Sequence, residues 1–332
     1  MSVTIKDVAS RANVSPSTVS RVISDNSRIS DATKKRVRAA MAELNYQPNL
    51  IARSLTNKST KTLGLLLPGS QEDLLLNPFF VQAMRGISSY AKGKGYYILF
   101  THADNDEDEV EVLTNLVGSQ WVDGIILTTV KDNDKSIAFL KEKKHPFVVI
   151  GKPDDEEHTY WVDNDNVKAM FQVVDLLIKK GKKNIGFIGG AHEFKVTKHR
   201  LLGYLKALKV NNIKADLNLI YEKDYTENAA YEATKELLEY CVPDAIVTTD
   251  DLIAFGAQRA LIENNMGNIS LVGFNNTVLS MYKIPSISSV DINAEKLGMF
   301  AAKLLINHIE KQKVDTTNYI IDTKFIERDS TK

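Results

Sequence analysis

Cysteine is almost missing from this 332-residue chain. Cys241 stands alone, so no internal disulfide framework can form, and a small buried hydrophobic role is expected for it. Long apolar runs are missing as well. None approaches the ~20 residues of a membrane span, and no basic-plus-apolar leader opens the chain, so a cytoplasmic protein without membrane contact is expected. Nucleotide and catalytic signatures are also lacking. Neither GFIGG (186–190) nor LLLPG (65–69) completes G-x-G-x-x-G, and there is no P-loop and no G-x-S-x-G elbow. The six histidines (102, 145, 158, 192, 199, 308) have no metal-ligand spacing. No metal, cofactor or enzymatic activity is expected. An α/β enzyme with a fused binding head would need a catalytic constellation that the chain does not offer.

Net charge is absent too, with 42 Lys and Arg against 42 Asp and Glu, but the balance is uneven along the chain. Residues 1–62 carry 11 basic and 4 acidic side chains, leaving 31 against 38 for the remainder. A basic head on an acidic body points to a polyanion as the head's partner.

The stretch Thr4 to Asn26, TIKDVASRANVSPSTVSRVISDN, reads as two short helices around a tight turn. Thr4 and Asp7 have capping-box spacing, and Ile5, Val8, Ala9 and Ala12 form one apolar stripe. Asn13-Val14 breaks that helix. Ser15 then caps a second one, with Pro16 at its first position, where the missing N–H costs nothing. Val19, Val22 and Ile23 face inward, leaving Ser17, Thr18 and Arg21 outward near the helix start. A third helix opens at Ser30 with the stripe Val37, Ala40, Met41 and Leu44. Three such helices fit a helix-turn-helix, whereas a merely solvated bundle would not need the basic surplus.

TIKDVASRANVSPSTVSRVIS, followed by AMAELNYQPNLIARSLT, resembles the headpiece of the lactose-repressor (LacI/GalR) family continuously over about 55 residues. The resemblance implies a second helix in the DNA major groove, with Pro16, Ser17 and Arg21 at base-reading positions. Arginine can fork onto guanine O6 and N7, and proline offers apolar surface to a thymine methyl. Thr4, Ser15 and Thr18 fall among the expected DNA contacts, the two hydroxyls of Ser15 and Thr18 suiting phosphates. Residues 48–61 match the family's hinge helix, which folds on DNA. There Leu55 matches a minor-groove wedge, Arg53 and Asn49 would support it on the backbone, and Ala52 falls among the expected DNA contacts.

From Thr62 onward, apolar runs alternate with amphipathic stretches. TLGLLLP, YYILFT, VDGIILT and PFVVIG read as buried parallel strands. A second series follows with YWVDND, NIGFIGG, LIYEKD, AIVTTD and SLVGFN. The expected fold is therefore an all-α helix-turn-helix headpiece plus hinge helix, then an α/β body of two parallel-sheet subdomains. The family supplies the periplasmic-binding-protein-like arrangement with three crossovers. The expected divisions are 1–47 headpiece, 48–61 hinge, 62–160 with 292–320 as first subdomain, and 161–291 with 321–332 as second. The tail NYIIDTKFIERDS is expected to be a last strand or hairpin.

Ligands of open α/β sheets bind at strand carboxyl ends. Phe79, Phe80, Asp163, Arg200, Tyr225, Asp250 and Asn275 all fall at or near such ends and form the expected effector site. Structural alternatives exist for single members: Asp250 or Asp251 as helix cap, the phenylalanines as core, Arg200 as an ion-pair partner. Carboxylates, amides and an arginine around aromatics suit a polyhydroxylated ligand. The family resemblance implies hydroxyl-holding roles for Arg200, Asp250 and Asn275 and a sugar-stacking role for Tyr225. Asn275 replaces an aspartate that many sugar-binding members carry. PFVVIGKP, VTKHRLLGY and GFNNTVLS look most like maltose-operon repressors of Gram-positive bacteria. The implied function is a homodimeric repressor of a sugar operon on a pseudo-palindromic operator, modulated by a small molecule. A corepressor-dependent purine-type regulator or a carbon-catabolite regulator is the alternative.

Overall fold

The computed structural model describes residues 3–47, 59–68, 77–313 and 316–332, in two compact units, Met1–Thr60 and Lys61–Lys332. The expected hinge residues Asn49, Ala52, Arg53 and Leu55 lie outside the described residues.

The first unit holds helices α1 (Ile5–Arg11), α2 (Pro16–Ile23) and α3 (Asp31–Glu43). Asp7 reaches back to cap Thr4. The Thr4 N–H donates to Asp7 Oδ2 at 2.8 Å, and its hydroxyl donates to the same oxygen at 2.7 Å. Asn13 takes the left-handed conformation that ends α1, with φ 49°. Val8, Ala9, Ala12, Val19, Val22, Val37 and Ala40 form a small core, with Ile23, Met41 and Leu44 packed on it.

The second unit contains two six-stranded sheets. The first uses β1 (Thr62–Pro68), β2 (Tyr97–Ala103), β3 (Gly124–Leu127), β4 (Phe147–Ile150), β5 (Trp161–Asp163) and β11 (Asn318–Ile320), in the order β11-β5-β4-β3-β1-β2. The second uses β6 (Ile185–Gly189), β7 (Ile220–Glu222), β8 (Ala245–Thr248), β9 (Ser270–Phe274), β10 (Ser288–Asp291) and β12 (Lys324–Ile326), in the order β12-β10-β9-β8-β6-β7. Helices α4 (Pro78–Gly93), α5 (Asp106–Gly118) and α6 (Lys135–Glu142) follow strands of the first sheet. In the second, α7 (Asn166–Lys179), α8 (Lys195–Val210), α9 (Glu227–Tyr240), α10 (Asp251–Glu263) and α11 (Val278–Tyr282) do so. Helix α12 (Ala294–Ile309) returns to the first sheet and packs on α4. Gly86 and Gly298 let those two backbones touch: a Cβ on Gly86 would meet the Glu295 carbonyl oxygen at 1.9 Å, and one on Gly298 that of Ala83 at 2.1 Å.

Three expectations change. YWVD does not open the second subdomain, because β5 is hydrogen-bonded to β4 and pairs in parallel with β11. The polar stretch 151–160 is a return loop to the same sheet, and the crossing comes after Asp163. The tail is neither one strand nor a hairpin: β11 ends the first sheet, and β12 joins β10 of the second as its antiparallel partner. Cys241 is half-buried at the end of α9, outside the core.

The three crossovers are tied together by asparagine. Buried Asn164, in the first crossover, donates to the Ile292 carbonyl of the second at 3.0 Å and to the Ile321 carbonyl of the third at 2.8 Å. Asn293 donates to the Asp322 carbonyl at 2.8 Å, a second link. Asn164→Leu would strand both carbonyls, so a loss of roughly 2–5 kcal/mol is expected in urea unfolding. An unchanged midpoint would mean that the crossovers hold without this pin.

Candidate functional site

In the first unit, Ser15, Pro16 and Ser17 are exposed at the start of α2 and Arg21 is exposed in its last turn, not near its start as expected, while Val19 and Val22 anchor the helix beneath them. Ser15 Oγ lies 2.8 Å from Ser17 Oγ and 2.9 Å from Thr18 Oγ1, and it accepts from the Thr18 N–H at 3.2 Å. These hydroxyls cluster over the helix N-terminus, where backbone N–H groups and the helix dipole favour an anion. Arg21 forms no ion pair among the described residues, whereas Arg11 is tied to Glu43 and Arg38 to Asp25. Thr4 is exposed but already engaged as the cap of α1.

In the second unit, the carboxyl ends of the two sheets enclose a cavity of about 390 Å³, within the range of roughly 300–1,000 Å³ typical of small-molecule sites. All seven residues expected from the sequence line it: Phe79, Phe80, Asp163, Arg200, Tyr225, Asp250 and Asn275. His192 and His199 do not.

Arg200 lines the cavity and is buried to 4 % exposure. Its Nε donates to Asn166 Oδ1 at 2.9 Å, its Nη1 donates to the Thr249 carbonyl, and its plane lies 4.2 Å over the Phe274 ring. It forms no direct ion pair with a carboxylate among the described residues. Burial works against its charge, and Tyr225, Asp250 and Asp163 support it. Asn166 also donates to Asp163 Oδ1 at 2.9 Å, so it relays between the two charged groups. Burial pushes Asp163 up to about 6, opposed by the Asn164 N–H and by Arg200.

Asp250 combines two roles. One oxygen caps α10 by accepting the Ile253 N–H at 2.8 Å, and the other accepts from Asn77 of the first subdomain at 3.0 Å. It is a cap and a bridge across the cleft. Burial raises its pKa too. Its neighbour Asp251 faces away from the cavity and accepts from Ser289 Oγ at 2.6 Å and the Thr277 N–H at 2.7 Å.

The aromatic wall is ordered. Phe79 and Phe80 meet edge-on at 5.2 Å, packing on the core while lining the cavity. Tyr225 stands edge-on to Phe194 at 5.4 Å, with its hydroxyl 2.9 Å from Thr197 Oγ1. Gly190 makes room for it, since a Cβ there would lie 2.0 Å from the Tyr225 ring. The Asn275 side chain has no hydrogen-bond partner among the described residues. Its backbone, at φ 93°, is held by its N–H donating to the Val290 carbonyl at 2.9 Å.

Sequence reasoning did not single out Asn166, Phe194 and Lys195, and it named Asn77 only within the strand-end stretch Asn77-Pro78-Phe79-Phe80, not as a site residue. Asn77 was legible as the cap of α4, but its link to Asp250 spans 173 residues.

This arrangement agrees with the comparisons. Residues 4–49 match the family described as bacterial regulatory proteins, lacI family. Residues 60–329 match periplasmic binding proteins and sugar binding domain of LacI family. The chain is 39 % identical over 315 residues to the HTH-type transcriptional regulator MalR of Streptococcus pneumoniae, covering 94 % of each. Among solved structures, it is similar to the lac repressor dimer bound to operator and the anti-inducer ONPF, with TM-score 0.84, 27 % identity and coverage of 100 % and 99 %. It is also similar to the complex of the transcriptional regulator CelR with cellobiose, with TM-score 0.78, 27 % identity and 99 % coverage of each chain. With a helix-turn-helix head and a two-sheet body around a polar cleft, the chain belongs to the LacI family and is a DNA-binding transcriptional regulator.

Proposed function

We propose that this regulator represses a maltose- or maltodextrin-type utilisation operon and is released when the sugar occupies the cleft. The observation that carries this reading is the cleft itself. Aromatic rings, two buried carboxylates, one buried arginine and an unengaged Asn275 amide converge at strand carboxyl ends, where donors and acceptors can meet hydroxyls from several directions. The similarity to MalR and to a cellobiose-bound regulator supports a sugar.

In this reading Arg200, Asp163, Asp250 and Asn275 hold hydroxyls, while Phe79, Phe80 and Tyr225 cover apolar sugar faces. Pro16, Ser17 and Arg21 read bases, Thr4, Ser15 and Thr18 meet the backbone, and residues 48–61 with Leu55 form the hinge. The domain plan is headpiece 1–47, hinge 48–61, and two subdomains, the first now running from 62 through Asp163. Two copies pair through their bodies. The strongly exposed apolar residues Val278, Tyr282 and Ile284, at 52 %, 77 % and 87 % exposure, support a pairing face on the second subdomain.

Calorimetric titration with maltose, maltotriose, cellobiose and a purine tests the ligand class. Binding of the first two alone is expected; a purine bound in their place would favour the corepressor reading. Gly190→Ala, by driving Tyr225 from its position, is expected to weaken maltotriose binding about two- to tenfold, the scale of an aromatic contact worth ~0.5–1.5 kcal/mol. Undiminished affinity in that variant would remove Tyr225 from the sugar site.

A further inference from the structure

One rim of the cleft is stitched shut by groups that belong to opposite subdomains. The loop after β3 (residues 128–134) and the start of α8 form an antiparallel bridge at Lys131 and Phe194. The Lys195 N–H donates to the Val130 carbonyl at 3.0 Å, and the Asp132 N–H donates to the Glu193 carbonyl at 2.9 Å. Charge reinforces it. Lys195 Nζ lies 2.8 Å from Asp132 and 2.6 Å from Asp154, both in the first subdomain, and Lys198 also pairs with Asp132. The Lys195 side chain is only 17 % exposed, but Asp154 is 70 % exposed and Lys198 and Asp132 are 31 % exposed each, so salt reaches the network and weakens it. The two lysines hold the Asp132 carboxyl down at about 2.

Val130, Phe194 and Lys195 line the cavity, whereas Asp132 and Asp154 do not. We propose that Asp132 is a positioning residue for the cleft: through Lys195 and Lys198 it clasps the start of α8, and Phe194 with it, onto the first subdomain before any ligand enters. The inference builds on the sugar reading of the cleft. The clasp raises the fraction of molecules in the closed, binding-competent form, and apparent affinity scales with that fraction. Its signature is unusual, because the affinity for an uncharged sugar becomes sensitive to salt.

The test uses the full chain with Cys241→Ser and spin labels at Lys143→Cys and Lys209→Cys, one on each subdomain. Without ligand, the inter-label distance is expected to be short and narrow at about 0.05 M KCl and to lengthen or broaden towards about 1 M, where the Debye length falls to ~3 Å. Asp132→Asn is expected to show the open distribution already at low salt, and Asp132→Glu to restore the closed one. Identical distributions in all three proteins at both salts would overturn the clasp. Maltotriose titration supplies the second readout. Wild-type affinity is expected to fall about three- to tenfold over that salt range, while Asp132→Asn starts weaker and stays flat. A salt-independent wild-type affinity would also overturn the proposal. Should no sugar bind while the distances still respond to salt and to Asp132→Asn, the sugar reading fails and the clasp stands.

Discussion

Replacing Arg200 by methionine is expected to abolish the response to sugar while leaving operator binding in place. Methionine keeps the packing on Phe274 but removes the guanidinium that lines the cavity, with its bonds to Asn166 and the Thr249 carbonyl. Charge-assisted hydrogen bonds to a ligand are worth roughly 1.5–3 kcal/mol each. Loss of one should therefore weaken sugar binding by roughly 10- to 100-fold, and loss of two by about 100-fold or more. The substitution also deprives Asp163 and Asp250 of their supporting positive charge, so both take up protons more readily. A folded-state carboxyl raised above its unfolded value is destabilising once ionised. The variant's deficit is thus expected to be largest above about pH 6 and to shrink as pH falls. Calorimetry with maltotriose, gel-shift assays on the operator and thermal melts at two pH values separate these effects. Sugar affinity within a few-fold of wild type would remove Arg200 from the binding role.

The second large effect is expected in the other unit. Arg21 is exposed in the last turn of α2 and forms no ion pair among the described residues. If it forks onto a guanine, Arg21→Ala costs about 1–3 kcal/mol on the preferred operator and far less on operators altered at that base. Binding measured across a set of single-base operator variants should therefore show relaxed preference at one position in each half-site. A uniform loss, with a salt slope shallower by about one, would instead assign Arg21 to a phosphate.

How much of this was legible in the sequence depended on whether a feature was local. The caps at Thr4, Ser15, Ser30 and Asp250 announced themselves within four residues of the groups they satisfy, and the structure realises them. Apolar runs marked most strands because buried parallel strands need no polar alternation. The seven cleft residues were reachable through family likeness and the strand-end rule. What stayed hidden was non-local. Trp161–Asp163 is a three-residue strand whose sheet is decided by partners at Val149 and Asn318, and no pattern inside YWVD reveals that. The polar loop before it resembled a domain break only because return loops and linkers share a composition. Asn164 looked like one more loop asparagine, yet its partners lie 128 and 157 residues away. The Asp132 clasp was invisible for the same reason, since lysines and aspartates in loops are ordinary surface composition until their positions are known.

The central claim is that cleft and operator are coupled through one chain. Linkage requires reciprocity: whatever factor the sugar takes from operator affinity, the operator must take from sugar affinity. The decisive measurement is both halves of that cycle on the full-length protein, with maltotriose and a defined operator at one salt concentration. Operator affinity is expected to drop roughly 5- to 150-fold at saturating sugar, and sugar affinity to drop by the same factor at saturating operator. Operator affinity unchanged by a sugar that demonstrably fills the cleft would contradict the account.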